Sequence, residues 1–137
     1  MSGVIVPILS MREFDYTFLG NGLTKTIVLH PALNVAMFST ARLIIRVHEL
    51  TMSSGQKITI AAYGTDPSSE DSREFVLSTT SLSAEVLSTH SAGNLVSDTD
   101  TDLYPFLKLV LTAQQSGTGG AALYAVLSAD LHLREST

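Results

Sequence analysis

The sequence predicts an all-β fold, a single antiparallel β-sandwich or jelly-roll-like barrel with an extended N-terminal arm. Three observations predict it. Apolar and polar residues alternate with the period of two that marks a half-buried strand. Clusters of Gly, Pro, Ser and Asp punctuate these segments at short intervals, as in sandwiches and barrels. No helical heptad and no internal repeat competes with this pattern. The chain of 137 residues suits one domain. Surface scaling for that size gives burial of about two-thirds of the unfolded surface, so a core forms without staples. The sequence contains no cysteine, which excludes disulfide frameworks, thiolate zinc sites, iron–sulfur clusters and thiol nucleophiles.

Residues 1–19 read as an N-terminal arm ahead of a β-sandwich domain over 20–137. The arm is too apolar for a solvated tail, with Val4, Ile5, Val6, Ile8, Leu9 and Phe14 followed by Tyr16, Phe18 and Leu19. Such a segment must pack on its own domain or on another chain. Val4, Ile5, Val6, Ile8, Leu9 and Phe14 are therefore the expected interface with a neighbouring subunit, and an edge strand of the chain's own sandwich is the competing reading. Pro7 holds the run extended and removes one hydrogen bond, which argues against an interior strand. The segment has no basic n-region and is too short to cross a bilayer, so neither a signal peptide nor a membrane span is expected.

Further along, Thr24–Leu29 is β-rich, and His30-Pro31 is expected to end it. Leu33, Val35 and Met37 alternate again. In Ala41–Glu49, Ala41, Leu43, Ile45 and Val47 share one face and Arg42, Ile44, Arg46 and His48 the other. In Lys57–Tyr63, Ile58, Ile60 and Ala62 oppose Lys57, Thr59 and Tyr63. Met52–Gln56 between these two segments predicts a tight connection, making them antiparallel neighbours. Arg73–Ser78 is a weaker strand candidate, and Ser81–Thr89 suits a strand or one helical turn. Near the end, Leu107, Leu109 and Leu111 share a face. The turn-like QQSGTGG of Gln114–Gly120 then leads into the apolar row Leu123, Ala125, Leu127, Ala129, Leu131 and Leu133. Leu123, Leu127 and Leu131 also have helical spacing, but Ala129 and Leu133 extend the alternation, so this segment reads as a strand closing a hairpin.

The residues that carry chemistry form no recognisable centre. Charged residues are 15% of the chain, against a usual value of about 25%, and the formal net charge of -5 argues against a nucleic-acid partner. Asp98, Asp100 and Asp102 alternate as calcium ligands can, but Leu103 and Leu109 stand where a calcium loop needs Gly and Glu. Asp66, Glu70 and Asp71 read as an acidic surface loop. Gly64–Ser72 and Ser91–Tyr104 are expected to be long loops. His30, His48, His90 and His132 lack metal-binding spacing, although His48 and His132 lie on polar strand faces and could pair. No nucleophile elbow or phosphate loop is present. Arg42, Arg46 and Lys57 are expected to form a small basic stripe that meets a carboxylate-bearing neighbour. No catalytic residue, no metal and no cofactor are expected.

Few charges, an apolar arm and a compact β-rich body fit a subunit whose surface is completed by other subunits. The arm Met1–Leu19, the strand Thr40–Leu50 and the closing segment Leu107–Glu135 with its SGTGG turn resemble the small β-sandwich auxiliary proteins of tailed-bacteriophage particles, the decoration or cement type. The resemblance implies a non-enzymatic virion protein that binds the capsid lattice as a homo-oligomer, a trimer among the possibilities, and stabilises it. Its partners are then itself and the major capsid protein or other virion subunits, with no nucleic acid and no membrane, and its location the virion, assembled in the host cytoplasm. Two other readings suit the same features: a head–tail connector or tail component, and a carbohydrate- or cell-surface-binding module using Tyr63, Tyr104 or Tyr124.

Overall fold

A computed structural model of the chain describes residues 3–18, 24–65, 78–101, 103, 105–115 and 121–135, without the side chains of residues 78–81 and 121. Among the described residues there are eight strands and no helix: β1 (Gly3–Phe18), β2 (Thr24–Asn34), β3 (Thr40–Thr51), β4 (Gln56–Gly64), β5 (Ser78–Leu87), β6 (Leu95–Asp100), β7 (Phe106–Gln115) and β8 (Ala121–Arg134). They form two four-stranded antiparallel sheets, ordered β1-β8-β3-β6 and β2-β7-β4-β5. The pairs β1–β8, β2–β7, β3–β6 and β4–β5 are nested, as if one long hairpin had been folded over into a sandwich. That is the jelly-roll arrangement.

The alternation in the sequence places the core. Leu43, Ile45 and Val47 of β3 and the whole row Leu123–Leu133 of β8 are buried on one sheet. Ile58, Ile60 and Ala62 of β4 face them from the other sheet, with Leu107, Leu109 and Leu111 of β7. Leu82, Ala84 and Val86 of β5 complete this layer, so Ser81–Thr89 resolves to strand. Each fully buried large side chain contributes about 1.5–3 kcal/mol.

Four sequence expectations are corrected. Ala41–Glu49 and Lys57–Tyr63 are not neighbours, because β3 and β4 lie in different sheets. The closing hairpin is likewise not a hairpin, since β7 and β8 lie in different sheets. Alternation fixes which face of a strand is buried but says nothing of which strand lies beside it, and an inner face is equally satisfied across the sandwich. His30-Pro31 does not end β2, which continues to Asn34 through register shifts on either side of His30. β2 is an edge strand, where a missing N–H is tolerated. Finally, Ser91–Tyr104 is not all loop, for it contains β6. The sequence-predicted strand over residues 73–77, the turn at 116–120, the acidic cluster Asp66, Glu70 and Asp71, and the residues Asp102 and Tyr104 lie outside the described residues.

Among the connections that pass from one sheet to the other, the one that enters β4 and the one that leaves β7 meet these strands at neighbouring positions. Gly55, at φ 88°, turns the 52–55 connection, and Gln56 N–H donates to Ser53 C=O at 3.1 Å. Gln56 pairs with Gln115, the last residue of β7, and both are buried. Gln56 Nε2 donates to Gln115 Oε1 at 3.0 Å, while Gln56 Oε1 accepts from Ser53 N–H at 2.8 Å. This amide pair ties the two crossings together. Gln56→Leu removes these bonds within a buried site and should cost about 1–3 kcal/mol in urea unfolding.

β6 is the other edge of its sheet. Asp98 and Asp100 pair with Leu43 and Ala41, so they share the inward face of β3. Asp98 Oδ2 accepts the Ser83 N–H of β5 at 2.9 Å, joining the two sheets along this edge. Inward-directed charge on an edge strand also discourages pairing with stray strands. Within the described residues no group of three or more acidic or histidine side chains is placed to hold a metal ion.

Candidate assembly surface

β1 is two half-strands. Register shifts fall between Pro7 and Leu9 and again between Leu9 and Arg12, around Met11 with its left-handed φ of 49°. Beyond the shifts the strand is anchored: Phe14 and Phe18 are buried, and the Phe14, Tyr16 and Phe18 rings follow one another at centroid separations of 6.4 and 6.2 Å. The Arg12 guanidinium carbon lies 5.4 Å from the centre of the Phe14 ring. Before the shifts the strand is only lightly covered. Val4 is 47% and Ile5 61% exposed, while Val6 and Ile8 are half-buried against the core.

The six residues expected at an interface therefore divide. Leu9 and Phe14 lie in the chain's own core, Val6 and Ile8 flank it, and Val4 and Ile5 remain on the surface. Residues 3–18 pair along β8 as an edge strand of the chain's own sandwich, the competing reading of this segment. The side of β1 away from β8 carries no strand among the described residues.

Register aligns the outer face of this sheet into rows. Ile5 pairs with His132, His132 with Arg42, and Arg42 with Thr99. Pro7, Asp130, Ile44 and Ser97 form the next row, and Ser128, Arg46 and Leu95 the one after. A shallow concavity of about 650 Å³ at the first row is lined by Ile5, Thr40, Arg42, Thr99, His132 and Arg134, among others. The basic stripe is thus made by Arg42, Arg46 and Arg134. Lys57, expected with it, is on the other sheet, paired with Glu85 at 3.1 Å. His48 and His132 do not meet either: His48 Nε2 lies 2.8 Å from Ser128 Oγ, and His132 lies beside Arg42.

At the opposite end of the same face, Val126 pairs with Glu13 on one side and Glu49 on the other, and Tyr124 pairs with Asp15 and Thr51. Tyr124 Oη donates to Glu13 Oε2 at 3.2 Å. Partial burial, then the Glu13 and Glu49 carboxylates, push this phenol up to about 12. The folded state therefore holds the proton longer than the unfolded chain does. The stabilisation this supplies is complete below pH 10 and is lost as pH rises towards 12. A titration followed at 295 nm should show one tyrosine ionising near pH 12, absent in Tyr124→Phe and shifted down in Glu13→Gln.

Sequence reasoning found Arg42 and Arg46 but not their acidic counterpart. Glu13, Asp15 and Glu49 are far apart in sequence and carry no motif, and they come together only because β8 lies between β1 and β3.

No protein family matches the sequence, and no curated protein matches it. Among solved structures, the VP2 subviral particle of infectious bursal disease virus is similar over 98% of this chain and 32% of that one, at 17% identity and TM-score 0.58. The structure of the Gx strain of the same virus is similar over 96% of this chain and 31% of that one, at 16% identity and TM-score 0.56. A family 35 carbohydrate-binding module from Clostridium thermocellum gives 12% identity and TM-score 0.40, over 92% of this chain and 97% of the module. The chain spans about a third of the length of the viral proteins it matches. At these identities the likeness is one of fold.

Proposed function

We propose that the chain is a non-enzymatic structural protein of a virus particle, binding the capsid lattice as an oligomer and stabilising it. The observation that carries this reading is the first half of β1, an apolar edge segment with Val4 and Ile5 exposed. It sits on a jelly roll of the kind that the VP2 particle protein also uses. An extended apolar edge is suited to adding to a neighbour's sheet or lying along its surface. Decoration of a tailed-bacteriophage capsid is the position that the sequence resemblance favours.

The test is light scattering on the eluting full chain, beside a Val4→Ser/Ile5→Ser variant. Both positions are exposed, so the variant should melt within a degree or two of the parent. The full chain is expected to elute as an oligomer and the variant to shift towards monomer and lose co-sedimentation with capsid particles. A full chain that is monomeric at its highest soluble concentration, and that is retained on insoluble polysaccharide, would overturn this reading in favour of the carbohydrate-binding one.

A further inference from the structure

The outer face of the β1-β8-β3-β6 sheet is electrically two-ended. Arg42 and Arg134, with His132, occupy one end and Glu13, Asp15 and Glu49 the other, while Arg46 lies in the middle, in the row next to that of Asp130. The three Arg side chains and Glu13, Asp15 and Glu49 are exposed, and among the described residues none of these six forms an ion pair within the chain. The two middle rows carry Pro7, Ile44 and Leu95, the last 57% exposed, beside Asp130 and Arg46, while Ile5, 61% exposed, shares the row of Arg42 and Val126 that of Glu13 and Glu49. Charges of opposite sign at the two ends of one sheet face, none of them ion-paired among the described residues, are complementary to the same face turned end for end.

We infer that the partner is a second copy of this chain, packed face to face on this sheet about a two-fold axis that runs across the strands. The inference rests on the assembly reading and specifies its self-contact. Such an axis turns each strand end for end while keeping like strands opposite. With the axis crossing β8 between Ser128 and Asp130, the row of Arg42 meets the row of Glu49 and Glu13. The row of Arg134 then meets that of Asp15, and Asp130 lies diagonal to Arg46. One operation matches every charged row with its opposite, and the two middle rows, with Pro7, Ile44 and Leu95, meet each other across the axis. That is the self-complementarity an isologous contact requires. The size is also sufficient. Three strands about 40 Å long and the six-residue β6, about 20 Å, spaced about 4.8 Å apart, make a face of about 670 Å², within the range of about 600–1,000 Å² that each partner of a standard interface buries. The concavity at Arg42 and His132 then receives the acidic end of the other copy.

The experiment is sedimentation equilibrium on the full chain and two charge-reversed variants, Arg42→Glu/Arg46→Glu and Glu13→Arg/Glu49→Arg, each checked by melting to be folded. The parent should dimerise at low salt and weaken about tenfold or more as salt is raised. Each variant alone should lose self-association by about 100-fold, because like charges now face each other across the axis. Mixed in equal amounts, the two variants should restore a dimer, since the acidic residues at 42 and 46 of one copy then face a surface made basic at 13 and 49 on the other. Variants that self-associate like the parent, or a mixture that stays monomeric, would overturn the inference. If the oligomer ignores both charge reversals but is lost in Val4→Ser/Ile5→Ser, the two-fold contact fails while the assembly reading stands. A parent that is monomeric throughout removes both.

Discussion

Leu127→Asp is expected to leave the chain unfolded or barely folded at 25 °C. Leu127 is fully buried, on the strand that lies between β1 and β3, and pairs with Val47 on one side and Arg12 on the other. The substitution forfeits the leucine's burial, about 1.5–3 kcal/mol. It also places a carboxylate where no water reaches, which costs several kcal/mol more or forces the group to take up a proton. Whole domains are stable by only about 5–15 kcal/mol. The control is one residue away. Ser128 points to the outer face and pairs with Arg46, so Ser128→Asp loses the bond to His48, gains an opposite charge and should change stability by about 1 kcal/mol or less. Circular dichroism melts of the two variants measure the contrast. Similar melting of both would mean that the register of β8 is one residue out, which would exchange every inner and outer side chain on that strand.

Phe14→Ala has the second largest expected effect. Phe14 is 2% exposed, in tilted contact with the Tyr16 ring and covered by Arg12. Truncating a buried aromatic ring costs about 3–5 kcal/mol, a fall of about 10–20 °C in melting temperature for a chain of this size. Ile5→Ser, on the same strand but 61% exposed, should shift melting by no more than about 2 °C. The pair measures the division of β1 into an anchored half and a presented half. Equal sensitivity at both positions would show the strand to be uniformly part of the core.

The inner faces of β3, β4, β7 and β8 were legible in the sequence because alternation is a local signal that each strand carries by itself. Pro7 argues only against an interior position for β1; it does not separate an edge strand of the chain's own sandwich, which the structure has, from an arm docked on a neighbour, which the sequence favours. What alternation does not encode is partnership. Residues 52–55 suit a tight hairpin and a crossing between sheets equally well, and only the fit of Gln56 against Gln115, distant in sequence, distinguishes them. β6 was hidden by its own chemistry: Asp98 and Asp100 are poor strand formers, tolerated here because an edge strand can turn its carboxylates to a neighbouring backbone N–H. The interface residues were legible as apolar and no further. Nothing in the sequence separates Leu9 and Phe14, which belong to the core, from Val4 and Ile5, which do not, because the register shifts around Met11 decide it.

The nested strand pairing has a consequence for the order in which the molecule can form. Among the described residues β4 and β5 are the only paired strands that are consecutive in sequence, so loop closure is cheapest there and grows outward through β3–β6 and β2–β7. Gly3 pairs with Arg134, so the two sides of the outermost pair are separated by almost the whole chain. Topologies dominated by such distant pairs fold in milliseconds to seconds rather than microseconds. Of the eight strands β1 leaves the ribosome before the others and is completed last. Its apolar first half therefore waits, unpaired, until β8 has been synthesised, and the interval before closure is when a nascent chain of this protein is most open to capture by another strand.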